Sequence, residues 1–222
     1  MKPVDKLLSL EKVRKLFEKG SRVMVGGFGG SGAPTELIEV LGASGAKELT
    51  VISNDLGTPG VGLGVLLRNG QLKSLIGTYY TWNPEVAESA NAGIVQVRLV
   101  PQGTFAEAIR AAGMGIPAFY TATSHGTELG RNKEVRQFKG RDYVLEECIE
   151  ADIALIKAHR ADSMGNLSYY KTANNFNPLM AMAARITIAQ VDEIVTEGCL
   201  PAGEIHTPHI FVDGLVRGGK SR

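Results

Sequence analysis

Apolar residues along this chain fall into short Val-, Ile- and Leu-rich runs at 22–26, 49–53, 72–78, 94–100, 152–158 and 186–191. Runs this short and this continuously apolar are the pattern of strands covered on both faces. Between them lie stretches with helical spacing at 35–41, 62–68, 84–92, 104–112 and 178–184. Strands alternating with helices predict an α/β fold, a mostly parallel open sheet with helices on both faces. The segment 135–147 breaks the rhythm. It holds two short alternating runs about Lys139-Gly140-Arg141, which predicts an added antiparallel hairpin. Near the start, Leu7, Leu10, Val13 or Arg14, and Phe17 recur at helical spacing, with charged residues of both signs interleaved. That is an amphipathic helix packing on the body of the domain rather than a secretion signal. No linker or low-complexity segment divides the chain, so residues 1–222 are read as a single domain.

The first run ends in Val23-Met24-Val25-Gly26-Gly27-Phe28-Gly29-Gly30-Ser31-Gly32-Ala33-Pro34, immediately before a helical stretch. Five glycines in seven residues (Gly26, Gly27, Gly29, Gly30 and Gly32) let backbone N–H groups approach an anionic or carbonyl ligand with no Cβ in the way. One reading is a dinucleotide fingerprint. Gly27, Gly29 and Gly32 satisfy its spacing, and Asp55 follows the second strand where a ribose-binding acid is needed. Against it stand the extra Gly26 and Gly30 and the proline where the helix begins. The acid is embedded in the polar turn Ser53-Asn54-Asp55-Leu56-Gly57, and no His or Lys is placed for hydride chemistry.

The other reading rests on a longer pattern. Gly20, Val23-Met24-Val25, Gly26-Gly27-Phe28, Gly32 and Pro34 match, at its own spacing, the acyl-CoA loop of family I CoA-transferases, with Lys19 standing where that pattern has an acid or amide. Ser53-Asn54-Asp55, Pro101-Gln102-Gly103-Thr104, Gly115 to Tyr120, Ala154 to Ala158, Gly165-Asn166-Leu167 and Asn175-Phe176-Asn177 follow in the family's order. Over essentially its whole length the chain resembles the alpha subunit of 3-oxoacid (acetoacetate-type) CoA-transferases, and the N-terminal half of the fused succinyl-CoA:3-ketoacid enzymes.

The resemblance implies covalent, ping-pong transfer of CoA between carboxylic acids. In that family the nucleophile is a glutamate in a Ser-Glu-Asn-Gly motif on the beta subunit. The motif is absent here, and Glu197-Gly198 is the nearest fragment. The implied protein is half of an active site in an α2β2 hetero-oligomer. It has no permanently bound cofactor, and a coenzyme A thioester is its substrate. On this chain the resemblance makes Gln102 the oxyanion donor and sets Asn54 beside the substrate. It lays Gly26, Gly27, Phe28, Gly29, Gly30, Ser31 and Gly32 against the acyl group or the adjoining part of CoA. Each has a plain structural alternative. Gln102 could cap a helix beginning near Thr104, Asn54 could form an Asx turn, Phe28 could be core, and the loop could be an empty tight turn. A nicotinamide dehydrogenase and a CoA-binding module without chemistry are the competing functions.

Composition changes the picture little. The chain has 24 Lys and Arg against 23 Asp and Glu, with no basic block that would favour nucleic acid, and 217–222 is a small basic tail. No apolar stretch approaches the ~18 residues of a membrane span. Cys148 and Cys199 are read as buried, reduced thiols, which fit a reducing compartment; with the amphipathic N-terminus the expected setting is cytoplasmic, an organelle matrix being the alternative. His206 and His209 lack a third partner for a metal. Asn175 to Pro178 reads as the start of a helix, and His125 as a loop histidine. Tyr79 to Trp82 is a candidate contact for a partner subunit or, equally, a packed strand end. The acyl specificity stays open, with Arg110, Lys157 and Arg160 as candidate counter-charges for a dicarboxylate.

Overall fold

The computed structural model describes residues 6–219. Helix α1 (Leu10–Arg14), capped by Ser9 accepting from the Lys12 N–H, leads into strand β1 (Arg22–Val25). There follow α2 (Thr35–Ala43), β2 (Leu49–Ile52), α3 (Gly64–Arg68), β3 (Leu72–Gly77), α4 (Pro84–Asn91), β4 (Gln96–Leu99) and α5 (Gln102–Gly113). The chain then forms β5 (Ala118–Thr121), β6 (Val135–Phe138) and β7 (Arg141–Glu147). It returns through β8 (Ala151–Asp162), β9 (Leu167–Ser168), α6 (Asn177–Met182), β10 (Ala184–Val195) and β11 (Gly214–Arg217).

The main sheet has the order β11-β10-β8-β1-β2-β3-β4. Every pair along that path is parallel, and only β9 lies antiparallel, against β8. Alternate strand residues enter opposite cores, as the two-residue repeat of a strand requires. Met24, Ile52, Ala154 and Ile156 pack with Phe105, Ile109 and Met180 beneath α5 and α6. Val23, Val25, Val51 and Leu155 pack with Val13, Leu37, Leu41 and Leu66 beneath α1, α2 and α3. The mostly parallel sheet with helices on both faces is therefore the one that the alternation of elements predicts, but the run 94–100 is not covered on both faces: β4 is the edge strand, and Gln96, Arg98 and Leu99 are exposed.

Several boundaries differ from the expectation. Strands β8 and β10 run twelve residues each, well past their apolar cores. Their polar ends are held by pairing with each other, down to Val195 opposite Asp162. The expected hairpin is present, but β5 pairs with β7 to make a three-stranded antiparallel sheet. The N-terminal helix is shorter than its periodicity, because Leu7 instead makes a parallel bridge to Leu215. Helix α5 begins at Gln102 rather than Thr104. Among the described residues, no helix is long and apolar enough to cross a membrane. The end of the basic tail, 220–222, lies outside the described residues.

Strand β1 is the point where the topology reverses. The chain proceeds from it to β2, β3 and β4 on one side, while β8, β10 and β11 extend the sheet on the other. Ligands of open α/β sheets bind outside the carboxyl ends of the strands at this position. The glycine loop emerges there.

Candidate active site

The loop is built as a two-residue turn and then fastened at every side. Phe28 N–H donates to Ser31 O and Ser31 N–H to Phe28 O, each at 3.0 Å. Between them Gly29 and Gly30 have φ of 55° and 89°, a left-handed pair that glycine adopts without steric cost. Gly26 is needed for another reason. An added Cβ would lie 1.9 Å from Asn177 Oδ1, so the close approach of α6 excludes a side chain. Asn177, fully buried, accepts from Lys157 N–H at 3.0 Å and donates to Gly32 O at 3.0 Å and to Ala173 O at 2.9 Å. On the same flank, Ser31 Oγ lies 2.9 Å from Thr172 Oγ1, and Asn175 Nδ2 donates to Ser31 O at 3.0 Å.

On the opposite flank Asp55 is the clamp. Its Oδ2 accepts from Gly29 N–H at 3.0 Å and from Asn54 Nδ2 at 2.8 Å, and its Oδ1 accepts from Gly57 N–H at 3.0 Å. The Asx-type turn therefore belongs to Asp55, not to Asn54. Asn54 is a buried crosspiece between strand ends: its Oδ1 accepts from Thr78 Oγ1 and from Gln102 Nε2, each at 2.8 Å. A continuous hydrogen-bonded path thus runs from Gln102 through Asn54 and Asp55 to Gly29.

Gln102 itself is exposed and is the first residue of α5, which has Pro101 at its N-cap and no side-chain cap. The capping role considered for Gln102 is therefore not the one it plays. The first helical bond is Phe105 N–H to Pro101 O, so the N–H groups of residues 102–104 have no acceptor within the helix. The Thr104 hydroxyl beside them is buried without a partner. One hydrogen of the Gln102 amide is used on Asn54, and the other is free to donate. These donors collect at a helix N-terminus, where the backbone dipoles favour negative charge.

A cavity of about 760 Å³ opens on the Asp55 side of the loop. Gly26, Gly27, Phe28, Gly29 and Gly30 line it together with Asn54, Asp55, Ile38 and Trp82. Gln102 does not line this cavity and connects to it through Asn54. Phe28 is exposed rather than core. Trp82 packs under Gly29, where an added Cβ would meet its ring at 3.0 Å, and meets Tyr79 edge-to-face at 5.2 Å.

The dinucleotide reading fails on these contacts. At the start of α2, where a pyrophosphate would sit, Glu36 N–H and Leu37 N–H donate to Gln190 Oε1 at 3.0 and 3.4 Å. The acid that would hold the ribose is spent on Gly29, Gly57 and Asn54. The remaining candidates disperse. Arg110 pairs with Glu107, Lys157 with Asp192, and Arg160 with Glu193 and Glu204. His206 Nδ1 accepts from Tyr169 N–H at 2.9 Å, and His125 faces Asp142 at 3.8 Å. The two cysteines are not both buried as expected: Cys148 is half-buried and Cys199 exposed, and both are free.

Sequence reasoning misses Asp55 as a clamp on the loop, Thr78, Thr172, and the part Asn177 plays. Asn177 stands among the family landmarks, yet along the chain it reads only as the start of a helix. Its signal is a glycine at 26 that no turn requires.

Fold and site together define an α/β protein of the kind that holds a ligand at the topological switch of a parallel sheet, with amide donors converging from strand ends and a helix start. Residues 8–218 match the family model described as Coenzyme A transferase, and the chain belongs to that family. It is 49% identical over 212 residues to one subunit of a probable succinyl-CoA:3-ketoacid coenzyme A transferase of Bacillus subtilis (strain 168), covering 96% of this chain and 89% of the relative. It is 48% identical over 199 residues to one subunit of a 3-oxoadipate CoA-transferase of Pseudomonas putida, covering 89% of this chain and 86% of the relative. An acyl-CoA transferase of Escherichia coli O157:H7 shares the fold, with a TM-score of 0.84 at 20% identity over 98% of this chain. This chain spans 48% of that longer one.

Proposed function

We propose that this chain is the alpha subunit of a heteromeric 3-oxoacid CoA-transferase. Its reaction moves CoA between a short-chain acyl-CoA (succinyl-, acetyl- or butyryl-CoA) and a 3-oxoacid such as acetoacetate. A beta subunit supplies the glutamate nucleophile, in an α2β2 assembly with a cytoplasmic setting. The relatives are named as single subunits of 3-ketoacid and 3-oxoadipate transferases, which supports the substrate class and the need for a partner. The observation that carries the mechanism is the joined network from Gln102 to Gly29. It fixes the Gln102 amide, with one hydrogen left to donate, beside the first amides of α5, on a chain without the nucleophile motif.

The chemistry must conserve the thioester, so water is excluded as acceptor. The partner's glutamate carboxylate adds to the thioester carbonyl. The C–S bond breaks, CoA leaves as thiolate, and a mixed anhydride remains. The thiolate then attacks the glutamyl carbonyl and expels the acyl group as a free carboxylate, leaving a glutamyl-CoA thioester. The second acid reverses these steps. Each addition places negative charge on a carbonyl oxygen, which the free Gln102 N–H and the first amides of α5 would receive. The glycine loop would hold the acyl group with its backbone, and the Asp55 and Asn177 clamps keep that backbone from moving as charge develops.

The test is co-expression with the partner subunit, incubation with acetoacetyl-CoA, borohydride reduction and mass spectrometry. A reduced glutamyl adduct on the partner alone is the expected result. An adduct on this chain, or CoA transfer by this chain without a partner, would overturn the split-site reading.

A further inference from the structure

Every acid that exchanges CoA in such a site arrives with one carboxylate that reacts, and a dicarboxylate brings a second that must be matched by a cation. The three cations that the sequence offers for this, Arg110, Lys157 and Arg160, are each consumed by carboxylates of this chain. The cavity beside the glycine loop has no Lys, Arg or His among its lining residues, and Glu39 lines it. A distal carboxylate directed there meets no counter-charge.

The other flank of the loop is different. The segment 170–175 is fastened to the loop through Thr172 and Asn175, and an added Cβ on Gly32 would touch the Ala173 backbone at 2.9 Å. Within this clamped segment stands Lys171, with φ of 49°. A lysine in the left-handed region is strained, and such strain persists only where surrounding contacts impose it. Here the Ala173 N–H to Tyr170 O and Asn174 N–H to Lys171 O bonds, each 3.1 Å, close the turn. The side chain is exposed, and its Nζ stands 5.0 Å from the centroid of the Tyr170 ring, which in turn lies 5.2 Å from the His159 ring. Among the described residues Lys171 forms no ion pair. The ammonium is oriented by an aromatic face, left uncompensated in charge, and placed one residue from a contact with the loop.

We propose that Lys171 is a specificity-determining residue that receives the distal carboxylate of a dicarboxylic acyl group held by the glycine loop. The inference deepens the transferase reading above and rests on it. It makes the preferred thioester a dicarboxylic monoacyl-CoA such as succinyl-CoA rather than an alkanoyl-CoA.

The assembled enzyme, with its partner subunit, is assayed with succinyl-CoA and with butyryl-CoA against acetoacetate. Lys171→Gln should lower kcat/KM for succinyl-CoA about threefold to fivefold, mainly through KM, the scale of an exposed charge pair. Butyryl-CoA should change less than roughly twofold, because it has no charge to lose. Lys171→Arg should restore most of the succinyl-CoA activity. Lys171→Gly separates charge from folding: it relieves the left-handed backbone, so it should unfold no earlier than wild type yet show the same selective loss. Equal losses with both thioesters would overturn the proposal, because they would put Lys171 on the CoA phosphates or in the fold. No loss with either would overturn it too. If the wild-type assembly moves CoA from neither thioester, the transferase reading itself falls and takes this inference with it.

Discussion

Replacing Gly26 by alanine tests whether the loop is held by the close approach of α6. The φ of Gly26 is not in the left-handed region, so alanine is acceptable there to the local backbone. What forbids it is Asn177, whose Oδ1 and Cγ would lie 1.9 and 2.7 Å from the new Cβ. The Asn177 side chain is fully buried and cannot swing into solvent. Displacing it breaks its bonds to Lys157 N–H, Gly32 O and Ala173 O. At about 1 kcal/mol net for each bond, with more for groups left buried and unpaired, Gly26→Ala should cost about 3–5 kcal/mol. For a chain of this length that is a fall of roughly 10 °C in the unfolding midpoint, readable by circular dichroism. Asn177→Ala loses the same bonds but leaves room for the methyl group. The double variant should therefore melt no lower than Asn177→Ala alone, a coupling about as large as the whole cost of Gly26→Ala. Additive losses in the double variant would contradict this account, as would a Gly26→Ala midpoint within about 1 °C of wild type.

Other consequences follow from the same contacts. Gln102→Ala should lower kcat of the assembled enzyme by about 10²-fold while co-purification with the partner is unchanged; an unaltered rate would remove it from the oxyanion site. Asn54→Ala should act more weakly on rate, and loss of folding instead would assign it to the strand-end crosspiece alone. Asp55→Asn presents a donor where either Gly57 N–H or the Gly29 and Asn54 donors need an acceptor, at about 1.5–3 kcal/mol, measurable as a lower thermal midpoint. Burial pushes the Tyr80 and Tyr169 phenols above the ordinary tyrosine range. Their neutral forms are shared by the folded and unfolded chains below about pH 10. Above it the unfolded chain releases the protons first, so stability should fall with rising pH by about 1.4 kcal/mol per unit for each tyrosine. Tyr169→Phe should flatten that slope in melts taken across the alkaline range, and an unchanged slope would remove Tyr169 from the effect.

Local chemistry makes much of this molecule readable along the chain. Continuous apolar runs mark the strands, and all but the edge strand β4 owe that pattern to cover on both faces, where alternation is not needed. The hairpin at 135–147 announces itself through its turn. The glycine loop is conspicuous because five glycines in seven residues exceed what a single turn needs. Elements without an apolar signature escape. The outer ends of β8 and β10, beyond the apolar runs, carry His159, Arg160, Asp192 and Glu193, and they are strands only because each supplies the other's hydrogen-bond partners. Strand β5 exists because β7 lies beside it, and nothing in Ala118 to Thr121 shows that neighbour.

At the site, residue types and backbone freedom are legible without any fold: an amide at 102, another at 54, and glycines where the chain must turn left-handed at 29 and 30. Their partnerships come from packing alone. Gln102 meets Asn54 across 48 positions, and Asn177 meets Gly32 across 145. Packing also makes Asp55 a clamp on a loop instead of a ribose ligand, and leaves Lys171 a free charge where Arg110, Lys157 and Arg160 have none. The reason is one of range. Dihedral preference and periodicity act over a few residues and can be read along the chain. Hydrogen bonds and ion pairs act over about 3 Å in space, and their partners are chosen by how the elements pack.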